Sequence, residues 1–145
     1  MADAGHSFDV PVRFRDLDPM GHVNNAVYNT YLEESRMAFW KLVEPGRSLE
    51  TVPFILARAE LNYRSPARES EVIRVGVRVA WMGTSSFCFE HRLTEKQGGR
   101  LIAEAKSVLV YFDYETGRSA PIPERIRGLM TDLSGGTIEP KPRTE

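Results

Sequence analysis

Apolar and polar residues alternate strictly near the start of the chain: Phe8, Val10, Val12 and Phe14 are separated by Asp9, Pro11 and Arg13. That is the period of a strand buried on one face. Pro11 has no N–H to give to a ladder, so this strand lies at a sheet edge or has that position unpaired. A turn at residues 16–21 ends it, and the period then becomes helical. From about Asn25 to Val43, one helix face collects Tyr28, Tyr31, Leu32, Ser35, Ala38, Phe39 and Leu42. Glu33, Glu34, Arg36 and Lys41 fall mostly off that face. Asn24 and Asn25 suit an N-cap, and Pro45-Gly46 stops the helix.

Four more strand patterns follow. Ile55, Ala57, Ala59, Leu61 and Tyr63 share one parity, as do Ile73, Val75, Val77, Val79 and Trp81, and then Phe87, Phe89, His91 and Leu93. The last pattern, Leu101 to Phe112, becomes apolar on both parities at Val108–Tyr111, which predicts cover on both faces. Short breaks between these strands require antiparallel neighbours, because parallel strands need long crossovers. Pro123 can open a short helix within residues 121–130. The predicted architecture is α+β: one long helix against a curved, mainly antiparallel five-stranded sheet. Residues 8–130 form the domain, with 1–7 and 131–145 expected as flexible ends.

Composition narrows the function without naming it. The chain has 145 residues, a formal net charge of −1 and one cysteine, Cys88. One domain of this length buries a real core. Acids and bases are interspersed, which leaves no footprint for nucleic acid or an anionic membrane. A lone cysteine excludes an internal disulfide framework and a cysteine-based zinc site. No apolar run has the length of a bilayer span, and residues 1–7 lack signal-peptide character. A cytoplasmic protein is expected. The apolar Val72, Val108, Val110 and Phe112 on the otherwise polar parity point to a second subunit.

The chemistry concentrates between Arg13 and Trp40. Asp16 and Asp18 precede Pro19 and Gly21 and are followed at once by the helix start. This aims a carboxylate and the unpaired N–H groups of a helix N-terminus at one point. The segment RDLDPMGHVNNAVYNTYLEESR closely resembles the opening motif of hotdog-fold acyl-CoA thioesterases of the 4-hydroxybenzoyl-CoA thioesterase type. LARAELNYRSPAR and VAWMGTSSFCFEHRL extend the resemblance over roughly residues 8–128.

The resemblance implies a helix wrapped by the sheet, active sites between paired subunits, and hydrolysis of an acyl-CoA to a free acid and coenzyme A. It makes Asp18 the catalytic acid, as general base or as nucleophile. Asn25 becomes the backbone donor to the developing oxyanion, and His22 a third candidate. Tyr28 and Tyr63 are candidates for the acyl pocket, Arg64 for the nucleotide phosphates, and Gly83, Ser85 and Ser86 for the coenzyme A tract. Asp16 is expected to organise the turn, and His91 to be a satisfied core histidine. No cofactor or metal is expected, and the partners are the acyl-CoA and further copies of the chain, as homodimer or homotetramer.

Two rivals fit less well. A transcriptional acyl-CoA sensor of this fold needs a DNA-reading element ahead of Phe8. A hotdog dehydratase or hydratase pairs an Asp with a His in a longer motif, whereas GHVNN continues the thioesterase pattern.

Overall fold

A computed structural model describes residues 5–47 and 51–143. Its elements, in chain order, are β1 (His6–Pro11), α1 (Val27–Val43), β2 (Phe54–Tyr63), β3 (Val72–Met82), β4 (Ser86–Glu95), β5 (Leu101–Asp113), β6 (Arg118–Ser119), α2 (Glu124–Leu133) and β7 (Glu139–Pro140). Five strands form an antiparallel sheet in the order β1-β3-β4-β5-β2, with β6 beside β5 and β7 parallel to the end of β3. α1 lies on the inner face, against β3 and β1. The hotdog architecture holds, enlarged by two short strands and a second helix. Pro11 sits on an edge strand, as its missing N–H requires.

Two bulges correct the expected faces. The β2–β5 register shifts at Ala57, so Ala59, Leu61 and Tyr63 face inward opposite Ser107, Ala105 and Ala103, while Ile55 turns outward opposite Val110. A shift at Ala80 likewise turns Trp81 outward beside Cys88. An extra residue in one strand flips every side chain beyond it, and strict parity cannot foresee this. In α1, Arg36, Trp40 and Val43 are buried, whereas Leu42 is exposed. The N-cap is Ala26 without a side-chain cap; Asn24 Oδ1 instead accepts the Ala26 N–H at 2.9 Å.

The C-terminal boundary also differs from expectation. α2 runs to Leu133, the Ser134 hydroxyl accepts the Val79 N–H at 2.9 Å, and residues 139–140 pair with β3. Residues 134–140 thus lie along the sheet rather than leaving it. Of the expected flexible start, His6 and Ser7 belong to β1, and residues 1–4 lie outside the described residues.

A polar layer divides the core in two. On the α1 N-terminal side, Tyr28, Tyr31, Leu32, Ile73, Leu93 and Ile102 pack together; on the other, Phe39, Trp40, Val79, Phe87, Phe89 and Leu109 do. Between them lie Ser35, Arg36, His91 and Ser107, all buried. Arg36 Nη1 donates to Ser107 Oγ at 3.0 Å, and Ser107 Oγ lies 2.9 Å from His91 Nε2. His91 Nδ1 lies 3.1 Å from Ser35 Oγ, which donates to the Leu32 carbonyl at 2.7 Å.

One proton arrangement satisfies the whole chain. Because Ser107 receives from Arg36, its own proton goes to Nε2; Nδ1 therefore carries the imidazole proton and donates to Ser35. His91 is a satisfied core histidine, and it is neutral. Burial, and then the Arg36 charge, push its pKa down from 6.5 to about 3.

A folded-state pKa below the unfolded one means that the unfolded chain binds the extra proton first. The stabilisation is complete above about pH 6.5 and is lost as pH falls towards 3. Thermal melts from pH 7.5 to 4.5 are therefore expected to show a steeper acid loss of stability in the wild type than in His91→Gln. That variant should start lower at pH 7.5. Parallel pH dependences would remove His91 as the source.

Candidate active site

The local sequence builds the site from three successive hydrogen-bonded turns. Leaving β1, the chain makes a 3₁₀ turn at Phe14–Asp16, and then Leu17 and Val23 bridge to form a miniature hairpin. Within it the Asp18 N–H donates to the His22 carbonyl at 2.7 Å, and the Gly21 N–H donates to the Asp18 carbonyl at 3.0 Å. Gly21 has φ +79° with open space around it, so backbone conformation and not crowding calls for glycine.

Asp18 is tethered on one side only. Its Oδ1 accepts the N–H groups of Met20 at 2.9 Å and His22 at 3.2 Å. Its Oδ2 has no partner among the described residues. The side chain is thus oriented by the turn while keeping one oxygen for chemistry. The Asn25 N–H also makes no hydrogen bond among the described residues, while the Asn25 carbonyl accepts the Tyr63 hydroxyl at 3.1 Å. Asp18, His22, Asn25, Tyr28, Tyr63 and Arg64 line one open groove of about 500 Å³. Six of the nine predicted site residues therefore converge.

Asp16 holds this arrangement together. It is buried, and its Oδ2 accepts the Tyr31 hydroxyl at 2.7 Å, the Arg13 N–H at 3.0 Å and Arg13 Nε at 3.3 Å. Its carbonyl accepts the Asn24 N–H at 2.8 Å. One residue therefore ties the end of β1, the core of α1 and the segment that carries Asn25. Burial alone would raise the Asp16 pKa; the Tyr31 hydroxyl, the Arg13 N–H and the guanidinium outweigh it and hold the carboxyl below 3.8. Burial and the neighbouring carboxylate raise the pKa of the Tyr31 hydroxyl, so Tyr31 remains a donor.

The other candidates have distinct settings. Tyr28 is buried, its ring 5.3 Å from that of Tyr63 and its hydroxyl 3.3 Å from the Ala67 N–H. Arg64 makes an exposed ion pair with Glu104 at 3.2 Å. His22 pairs through its backbone with Arg68 across an isolated bridge. Gly83, Ser85 and Ser86 are not brought to the groove: they form the turn at the far end of β3, roughly 30 Å away at about 3.3 Å per residue. There Arg127 of α2 donates to the Gly83 and Thr84 carbonyls and fixes the turn.

Sequence reasoning placed Asp16 in the turn but missed its bond to Tyr31, because a helical repeat reports burial and not where a hydroxyl reaches. Met20, Val23, Ser65 and Pro66 also line the groove, and nothing in their pattern marks them. Among the described residues no three His, Cys, Asp or Glu side chains gather as a metal site.

Comparison with known proteins gives the family. The family model described as the thioesterase-like superfamily matches residues 12–129. The long-chain acyl-CoA thioesterase FadM of Escherichia coli (strain K12) is 27% identical over 129 residues, covering 86% of this chain and 96% of that protein. The chloroplastic acyl-acyl carrier protein thioesterase ATL3 of Arabidopsis thaliana is 29% identical, covering 84% of this chain and 65% of that protein. A thioesterase from Thermus thermophilus, solved with coenzyme A and zinc, superposes with a TM-score of 0.83 at 40% identity. That match covers 93% of this chain and 98% of the Thermus chain. The chain thus belongs to the thioesterase-like superfamily and is an enzyme of the thioester-hydrolysing kind.

Proposed function

We propose that this enzyme hydrolyses an acyl-CoA thioester to the free acid and coenzyme A, using the acid–turn–helix arrangement of the 4-hydroxybenzoyl-CoA thioesterase type. The observation that carries this reading is the free Asp18 Oδ2 in the same groove as the unpaired Asn25 N–H. As a base, Asp18 takes a proton from water as the water oxygen attacks the thioester carbon. As a nucleophile, Oδ2 attacks that carbon itself, and water then cleaves the mixed anhydride. Both routes need the same free oxygen. The charge that develops on the carbonyl oxygen is met by the Asn25 N–H at the positive end of α1. The C–S bond then breaks; in the base route the proton held by Asp18 returns to the departing thiolate. His22 lines the groove beside Asp18 as a secondary polar contact.

The groove of one chain is open, and a second copy completes it. β2 is an edge strand that exposes Ile55 and Leu56, the unprotected edge that pairs with another strand. Antiparallel pairing of two β2 strands about Ala59 sets Arg58 opposite Glu60 of the partner subunit, and Glu60 opposite the partner's Arg58. The same pairing lays the far end of the partner's sheet beside Tyr63. At about 4.8 Å per strand, its Gly83–Ser86 turn then sits roughly 14 Å across the sheet from Tyr63. An extended pantetheine arm spans that distance. This reunites the three separated candidates with the groove and supports a homodimer, or a tetramer of such dimers, with sites at the subunit interface. Soluble acyl-CoA in the cytoplasm is the proposed setting.

Four variants test this reading. In a thiol-release assay over short, medium, long and aromatic acyl-CoAs, Asp18→Asn is expected to keep the wild-type melting profile and lose at least ~100-fold in turnover. Full activity would remove Asp18 from the chemistry. Asp16→Asn is expected to behave differently, losing about 1.5–3 kcal/mol of stability as a charged acceptor of buried hydrogen bonds is replaced. For the interface, Arg58→Glu should weaken the dimer in sedimentation, and adding Glu60→Arg should restore it. Failure of the exchange to restore association would reject the Ala59-centred register.

A further inference from the structure

Buried charges are normally paired, so a buried cation without a counter-ion requires an explanation. Arg36 is buried, yet no carboxylate lies within ion-pair distance of it among the described residues. Its hydrogen-bond partner is the Ser107 hydroxyl, which engages one of five donors. The remaining nitrogens are not sealed in, since the fully enclosed side-chain atoms without a partner among the described residues are Trp40 Nε1 and Arg78 Nε. Trp40 lies one turn beyond Arg36 on the same flank of α1. This stretch therefore offers donors, and its acceptors are short.

The position of Arg36 shows what can supply an acceptor. Tyr28, Leu32, Arg36 and Trp40 form an i, i+4 stripe, and all are buried. On β2, Tyr63, Leu61 and Ala59 share the inward parity, and Phe54 is buried. The two rows meet at both ends, with ring centroids 5.3 Å apart for Tyr28–Tyr63 and 5.1 Å for Trp40–Phe54. Between these contacts Ala59 is small and exposed, and it pairs with Ser107, the partner of Arg36. The inner face of β2 is thus left open in a furrow that starts at Tyr63 in the catalytic groove, passes the half-buried Leu61 and reaches Ala59, level with Arg36 through Ser107.

Two rulers give its length. Eight helical residues from Tyr28 to Arg36 rise about 12 Å, and four strand residues from Tyr63 to Ala59 extend about 13 Å. An extended chain advances about 1.2 Å per bond, so this distance corresponds to about ten bonds.

We propose that Arg36 is a specificity-determining residue that receives a carboxylate or hydroxyl at the far end of the acyl chain, about ten bonds from the thioester carbon. This rests on the thioesterase reading of the Asp18 groove and names the substrate class within it: medium-length acyl thioesters with a polar terminus. Ser107, braced by His91 and Ser35, holds the guanidinium in place from behind.

The test compares decanoyl-CoA with 10-hydroxydecanoyl-CoA and the mono-CoA thioester of decanedioic acid. The wild type is expected to favour the two polar-ended substrates by roughly tenfold or more in kcat/KM, chiefly through KM, the scale of one hydrogen bond to a charged group. Arg36→Met should bring that ratio close to one. Ala59→Leu, which fills the space opposite Arg36 without removing its bond to Ser107, should narrow the ratio too and serves if Arg36→Met does not fold. Turnover of decanoyl-CoA with no preference for the polar-ended chains overturns the Arg36 assignment and leaves the thioesterase reading standing. Dissociation of the dimer in Arg36→Met, with the substrate ratio unchanged, also overturns it by giving the missing acceptor to the partner subunit. Absence of turnover with all three substrates, while other acyl-CoAs are hydrolysed, overturns the Arg36 assignment alone; absence of turnover with every acyl-CoA overturns both readings.

Discussion

The buried carboxylate of Asp16 is the constraint on which the rest of the site depends. Burying a charge is costly unless its oxygens are satisfied, and here one oxygen takes three donors from two segments: Tyr31 of α1, and the N–H and guanidinium of Arg13 beyond β1. These partners fix where the chain leaves the sheet relative to the long helix. The miniature hairpin that carries Asp18 is strung between those points, with its far end tied by Asn24 to the Asp16 carbonyl. The position of Asp18 is therefore inherited from Asp16. In the D-x-D pair one acid builds the frame and the other faces the groove.

A second polar group has a comparable place deeper in the core. The layer of Ser35, His91, Ser107 and Arg36 interrupts an otherwise apolar interior, and its hydrogen bonds run in one direction from the guanidinium to the Leu32 carbonyl. Apolar packing alone would let α1 slide or rotate over the sheet. Bonds to two strands fix its position, and with it the helix N-terminus that borders the groove. In the proposed substrate reading the same layer also receives the far end of the acyl chain, so one structural device would set both helix register and chain length.

Much of this was legible in the sequence, for identifiable reasons. Strand and helix periods are long and clean here, so the order of the main elements followed from pattern, and of the two settings open to Pro11 the sheet topology shows the edge strand. Turn formers at a helix start drew notice to residues 16–25, and the resemblance of that motif singled out Asp18, His22 and Asn25 within it. What stayed hidden depends on tertiary geometry. The bulges at Ala57 and Ala80 are single-residue events that reverse the facing of Ile55 and Trp81. Arg36 falls mostly off the apolar face that the pattern defines, whereas its place on the Tyr28–Leu32–Trp40 stripe buries it. Gly83, Ser85 and Ser86 are remote from the groove within one chain, and reach it in the proposed pairing of two subunits.

The central claim is that catalysis by Asp18 depends on a frame held by Asp16, and the bond from Tyr31 isolates it. Tyr31→Phe removes one buried hydroxyl that does not line the groove and keeps the buried ring. Steady-state kinetics on a hydrolysed acyl-CoA should show kcat reduced several-fold with KM little changed, alongside a melting temperature lowered by no more than a few degrees. A variant with wild-type kcat would contradict the account, because the catalytic carboxylate would then hold its position without the frame.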